Sequence, residues 1–160
     1  MSVSRSAASS ASPTESLDPV LDFMRLLWTI EHGLQSTSKH MENRLGITGP
    51  QRLVLRVVTQ FPGLSAVDLS NIVRLHPSTL TGVIQRLVDK QLLVRDRDPH
   101  DGRRMRLRAT RRASQFTRVS PGTVEAAVQQ ALSSVPSVHV RHARVVLAAV
   151  AEALEGVTAD

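Results

Sequence analysis

Apolar positions recur at helical spacing from Leu17 onward. Leu17, Val20, Leu21, Met24, Leu27, Trp28, Leu34, Met41 and Leu45 form the first series. Asp18 suits an N-cap, Pro19 the first helical position and Gly46 a stop, so the series predicts one helix of about 26 residues. Thr48-Gly49-Pro50-Gln51 has the spacing of a capping box and opens a second helix over Leu53, Val54, Val57, Val58 and Phe61, closed by Pro62-Gly63. Ser65 to Asp68 starts a short third helix carrying Leu69, Ile72 and Val73. His76-Pro77 opens a fourth, in which Leu80, Val83, Ile84, Leu87 and Val88 fall at i, i+3, i+4, i+7 and i+8. The period then changes to two. Leu92–Arg97 and Arg103–Thr110 read as strands around the turn formers Asp98-Pro99-His100-Asp101-Gly102, and Met105, Leu107 and Ala109 alternate with Arg104, Arg106 and Arg108. That alternation predicts a hairpin with one buried and one basic face. Helical spacing returns after Thr110 and runs to Leu132 with a break at Pro121-Gly122; a last helix spans about Ser137 to Leu154. Residues 1–15, rich in Ser and Ala, carry no such pattern and are expected to be a disordered tail.

The fourth helix is unusual on its polar side. Ser78, Thr79, Thr81, Gly82, Gln85, Arg86 and Asp89 occupy a face that a merely solvated helix fills with Glu and Lys. Small hydroxyls and a glycine let that face approach a partner closely. Helix, helix, short helix, polar-faced helix and basic hairpin is the order of a winged helix-turn-helix. The fold expected is mainly α with a small β-hairpin wing, a winged helix-turn-helix domain over 48–110 and a helical dimerisation region over 16–47 and 111–156.

Charge sharpens this picture. The 160 residues carry 20 Lys and Arg against 14 Asp and Glu, a net charge of +6. Residues 95–118 alone hold nine Arg and three Asp, a surplus equal to that of the whole chain. A basic patch placed this way points to nucleic acid. In a major groove Gln85 can pair with adenine and Arg86 with guanine, with Ser78, Thr79 and Thr81 at the near end of the helix. Arg103, Arg104 and Arg106 of the hairpin would meet phosphates or a narrow minor groove, with Asp101 bracing the wing through an ion pair to Arg103.

Composition removes other classes. There is no Cys, which excludes disulfides, thiol redox switches and a Cys nucleophile. No apolar run reaches the roughly 18 residues of a membrane span, and the N-terminus has no signal-peptide pattern, so a cytoplasmic protein is expected. The six His lack Cys or suitably spaced carboxylate companions, so neither a metal nor another cofactor is expected. No Ser-His-Asp spacing or phosphate loop suggests an enzyme.

The run LSAVDLSNIVRLHPSTLTGVIQRLVDKQLLVRDRDPHDGRRMRLRAT closely resembles the MarR-type (multiple antibiotic resistance regulator) transcription factors. Asp101, Arg103 and Arg106 match the family's D-x-R-x-x-R wing pattern. Two positions depart from it. Gln91 stands where the family usually has the Gly that ends the recognition helix, and Ala113 replaces the usual Gly after the wing Thr. The resemblance implies an obligate homodimer in which the first and last two helices interlock. Two winged domains would then meet the half-sites of a pseudopalindrome in double-stranded DNA. It also implies release by a small aromatic or anionic effector bound between the two regions, and repression as the usual outcome. The first helix and the apolar last helix independently call for a partner. Trp28 suits packing at a dimer junction first; the alternative is that Arg25, Trp28 and His32, about a turn apart, line an effector pocket. The alternative reading is a winged module that contacts protein or RNA without reading duplex DNA.

Overall fold

The computed structural model describes residues 17–157; the tail expected over 1–15 lies outside them. The element order is α1 (Pro19–Leu45), α2 (Gly49–Gln60), α3 (Ala66–Val73), α4 (Pro77–Asp89), β1 (Leu93–Arg97), β2 (Met105–Ala109), a 3-10 turn (Arg111–Ala113), α5 (Ser114–Thr117), α6 (Val124–Ser133) and α7 (Ser137–Val157). The chain divides into two compact units at Ser36 and Thr37.

Local chemistry explains the helix starts. Thr48 Oγ1 accepts the Gln51 N–H and Gln51 Oε1 accepts the Thr48 N–H, each at 3.3 Å. At α3 the Ser65 hydroxyl accepts the Asp68 N–H (3.1 Å), and Asp68 Oδ2 accepts the Ser65 hydroxyl (2.6 Å) and N–H (3.2 Å). The Ser65 hydroxyl, then its N–H, holds the Asp68 carboxyl below the usual carboxylate range. At α4 the ring Nδ1 of His76 accepts the Ser78 N–H (3.3 Å), ahead of Pro77 in the first turn.

The core of the second unit gathers Ile47, Val54, Leu55, Val58, Leu69, Leu80, Val83, Ile84, Leu87, Leu92, Leu93, Leu107 and Ala113. Each fully buried Leu, Ile or Val among them contributes about 1.5–3 kcal/mol by leaving water. The buried stripe of α2 is Gln51, Arg52, Val54, Leu55 and Val58. This corrects the sequence reading, which put Leu53 and Phe61 on that stripe; both are exposed. Leu53 and Leu55 flank Val54 equally in sequence, and only packing separates them.

β1 and β2 pair antiparallel with Leu93 opposite Ala109 and Arg97 opposite Met105. The outer edge of β2 is covered near its centre, where the Leu107 N–H donates to Leu64 O (2.8 Å) and the Gly63 N–H to Leu107 O (2.9 Å). Met105 is 44 % exposed, so the expected apolar face is buried only at the base of the hairpin. Beyond Leu107 the strands project past the core and no apolar surface remains to cover the Met105 side chain.

The two sequence departures resolve differently. Gln91 takes φ +57, its N–H donates to Val88 O (2.8 Å), and the Leu92 N–H donates to Leu87 O (2.9 Å). The left-handed terminus is thus formed without glycine. Ala113 has φ −61 and is buried, a helical position that has no need of glycine.

The helix expected between Thr110 and Pro121 is shorter than its periodicity suggests. α5 stops at Thr117, Arg118 is extended, and Gly122 takes φ +79 before α6 begins. Pro121 explains part of this, since it has no N–H to give the Thr117 carbonyl one helical turn earlier. α6 and α7 bury no residue of their own. Val128 and Leu132 of α6, and Val145, Val146, Leu147 and Leu154 of α7, are exposed. So are Val20, Leu21, Met24, Leu26, Trp28 and Ile30 on α1. Among the described residues no helix is long and apolar enough to cross a membrane.

Candidate nucleic-acid interface

α3, the three-residue link Arg74-Leu75-His76 and α4 form a helix-turn-helix. Arg74 ends α3 in the left-handed region (φ 50). α4 buries Leu80, Val83, Ile84 and Leu87 against the core, which turns Ser78, Thr79, Thr81, Gln85 and Arg86 outward. Gly82 lies half-buried between them, and a Cβ there would meet nothing within 4 Å, so the open space above it belongs to the outer surface.

Several of these side chains are already engaged. Ser78 Oγ lies 2.7 Å from His76 Nδ1, and the Thr81 hydroxyl donates to Pro77 O (2.8 Å). Gln85 Nε2 donates to Asp89 Oδ1 (2.8 Å), which leaves its carbonyl oxygen available as an acceptor. Thr79 and Arg86 make no side-chain bond among the described residues.

The hairpin turn is held by its own aspartates. The Asp98 N–H donates to Arg104 O and the Arg104 N–H to Asp101 O, each at 2.9 Å. Asp98 Oδ1 accepts the His100 N–H (2.8 Å) and Oδ2 accepts Arg106 Nε (2.7 Å). The His100 N–H first, then the Arg106 guanidinium, keeps the Asp98 carboxyl below the usual carboxylate range. Asp101 Oδ1 accepts the Arg103 N–H (3.1 Å), while its Oδ2 lies 3.8 Å from Arg104 Nε. The expected ion pair between Asp101 and the Arg103 side chain is therefore replaced by a bond to the Arg103 backbone and a pairing with Arg104. The turn folds the Arg103 N–H back onto the carboxylate and sends the side chain outward.

The basic face of β2 is partly neutralised. Asp96 pairs with Arg106 in the strand register, so the two side chains share a face, and Arg108 Nε donates to Asp96 Oδ2 (2.9 Å). Each of the three Asp of the arginine-rich stretch thus meets an Arg. Arg95, Arg97 and Arg103 are exposed and have no ion pair among the described residues. Arg95 and Arg97 escaped the sequence reading because they lie on β1, opposite Leu107 and Met105.

The family model for the MarR family matches residues 25–104, half of the chain. The chain belongs to the MarR family. Its fold is that of MarR-family transcriptional regulators. The transcriptional regulator SlyA superposes with a TM-score of 0.69 at 21 % identity, covering 83 % of this chain and 94 % of SlyA. MepR of S. aureus, solved as a complex with DNA, gives 0.68 at 19 % identity over 82 % of this chain and 97 % of its own. PcaV of Streptomyces coelicolor, solved with its natural ligand, gives 0.69 at 26 % identity over 87 % of this chain and 98 % of its own. No curated protein sequence matches the chain.

In this MarR-family chain Arg25, Trp28 and His32 lie along α1 and all three are exposed, Trp28 at 60 %. Arg25 Nη2 pairs with Asp22 Oδ1 at 2.7 Å. An open cavity of about 560 Å³ lies elsewhere, lined by Ser70, Asn71, Arg74, Leu75, His76 and Glu155. Among the described residues no group of three or more His, Asp or Glu could hold a metal ion.

Proposed function

We propose that this chain is a homodimeric, sequence-specific regulator of transcription that reads a pseudopalindromic operator in double-stranded DNA, usually to repress it. The observation that carries the reading is the exposed face of α4 beside a wing whose free arginines include Arg103, in a chain of the MarR family. Thr79, Gln85 and Arg86 would read base edges, with Ser78, Thr81 and Gly82 at close approach; Arg103 and Arg104 would hold phosphates. Arg106, tied to Asp98, braces the wing together with Asp101 and meets DNA only through its outer edge. In this reading residues 48–110 form the DNA-binding domain, and 16–47 with 111–156 form the dimerisation region. The exposed apolar residues of α1, α6 and α7, each helix taken alone, support that division because a stable soluble helix does not leave such stripes in water.

Effector control is part of the proposal: a small aromatic or anionic molecule would shift the dimer between DNA-competent and incompetent arrangements. The likeness to PcaV, solved with a ligand, supports this. A shift assay on DNA from the protein's own promoter region tests the core of the reading. Replacing Gln85 or Arg86 by Ala should relax base preference at one position per half-site and weaken cognate binding by about 1–3 kcal/mol for each half-site. Uniform weakening across all sequences would remove these two residues from the base-reading set.

A further inference from the structure

The most heavily bound side chain of the second unit belongs to neither the recognition helix nor the wing. Arg52 of α2 is 1 % exposed. Its Nε donates to Glu125 Oε1 (2.7 Å), and its two Nη groups donate to the carbonyls of Phe116 and Arg118. Arg56, one turn on, donates to the Thr117 carbonyl (2.8 Å) and lies 3.7 Å from the same Glu125 oxygen. Two arginines of one helix therefore gather three successive carbonyls and the first-turn carboxylate of α6. Arg44 adds a bond from the far side, donating to Pro121 O at 3.4 Å.

These carbonyls are the ones the chain leaves without helical donors. α5 ends at Thr117, and Pro121 cannot serve the Thr117 oxygen. Arg52 and Arg56 supply what the broken helix lacks, on both sides of the break. The second oxygen of Glu125 is buried without a bond among the described residues, so the carboxylate depends on Arg52 for its one short bond, with Arg56 at 3.7 Å. A planar fork with its donors committed in three directions permits one geometry and penalises intermediates.

We propose that Arg52 is a positioning residue that sets the direction in which α6 and α7 leave the winged unit. On the dimeric reading given above, it thereby sets the separation of the two recognition helices. The leverage is large. At 1.5 Å per residue the 21 residues of α7 span about 31 Å. A change of about 10° at the break moves the far end by about 5 Å, more than the 3.4 Å rise of one base pair.

The chain has no cysteine, so cysteines introduced at His100 and His139 are unique label sites. Both are exposed, one on the wing and one on α7. Pulsed electron resonance on the full chain, diluted with unlabelled protein, reads the distance within one chain and needs neither DNA nor dimerisation. Arg52→Lys keeps the charge but not the fork, and the double variant R52M/E125M removes both charges together, which is tolerated more readily than removing one. Both should keep wild-type helicity while the label distance shifts or its distribution broadens. On operators whose half-site spacing differs by one or two base pairs, the wild type should prefer one spacing. Folded variants should lose about two- to thirtyfold of that preference, the range expected of a residue coupling remote sites. A folded variant with the wild-type distance distribution overturns the proposal. Unfolding of both variants overturns it too, since Arg52 would then be a folding residue only. A wild type that ignores duplex DNA would defeat the DNA-binding reading, and the distance measurement would still decide the role of Arg52.

Discussion

Replacing Gln91 by Gly should stabilise the protein, because Gln91 ends α4 in the left-handed region at φ +57. An L-residue with a Cβ pays about 1–2 kcal/mol to sit there. Glycine pays no such strain but loses about 0.5–1 kcal/mol more backbone entropy on folding. The bonds that define the terminus are made by backbone groups and survive the change, including the Gln91 carbonyl that accepts the Thr110 hydroxyl (2.8 Å). The net gain is about 0.5–1 kcal/mol, or a rise in Tm of about 1–4 °C for a chain of this length. Lys90 provides the internal control. It sits one residue earlier at φ −78, in the region every L-residue favours, and its ammonium donates to Gly46 O (2.8 Å). Lys90→Gly should therefore destabilise by about 0.5–1 kcal/mol. Thermal unfolding of the two variants and the wild type at one protomer concentration checks both signs, since a dimer's Tm depends on concentration. Equal effects at positions 90 and 91, or a loss of stability in Gln91→Gly, would refute the assignment of strain to that residue.

Arg103→Ala should lower the salt slope of DNA binding by about 1.8, one phosphate contact of about 0.9 from each of the two chains, without changing Tm. Arg106→Ala, which takes the guanidinium from Asp98, should instead lower Tm with little change in slope; paired salt titrations and melts separate the two. Asp98 is held below its ordinary range when folded, so it adds stability above the unfolded carboxylate value near 3.9 that fades as pH falls below it. The difference in stability between wild type and Asp98→Asn should accordingly be present at neutral pH and shrink in acid. A Val145→Glu, Leu147→Glu double variant of α7 should shift the protein from two chains to one by light scattering while keeping its helicity, because both side chains are exposed and apolar in the single chain.

Much of the architecture was legible because its signals are local. The capping boxes at Thr48 and Ser65, the stripe of α4 and the turn chemistry of 98–102 each lie within a few residues of the element they define. The face of α4 could be read for the same reason: its buried positions name its exposed ones. What escaped the sequence depends on distant partners. Arg52 meets Glu125 from 73 positions away, and Phe116 from 64. An arginine three residues before Leu55 on a helix was the available clue, since position 52 shares the stripe of 55, yet its partners had no pattern to announce them. Arg106 and Arg108 looked like a free basic row because the aspartates that answer them, Asp98 in the turn and Asp96 on β1, come eight and twelve residues earlier, and only the folded hairpin brings them alongside.

On the proposed reading two copies of this chain bind one pseudopalindrome. The most direct measurement is the stoichiometry and sequence dependence of binding to DNA from the protein's own promoter region, by light scattering of the complex alongside competition with single-half-site and scrambled duplexes at fixed salt. That reading requires two chains per operator and tighter binding to the intact pseudopalindrome than to scrambled DNA by about 10³-fold or more. It also requires a sharp loss when either half-site is removed. One chain per site, or equal affinity for operator and scrambled duplex at every salt concentration, would contradict it.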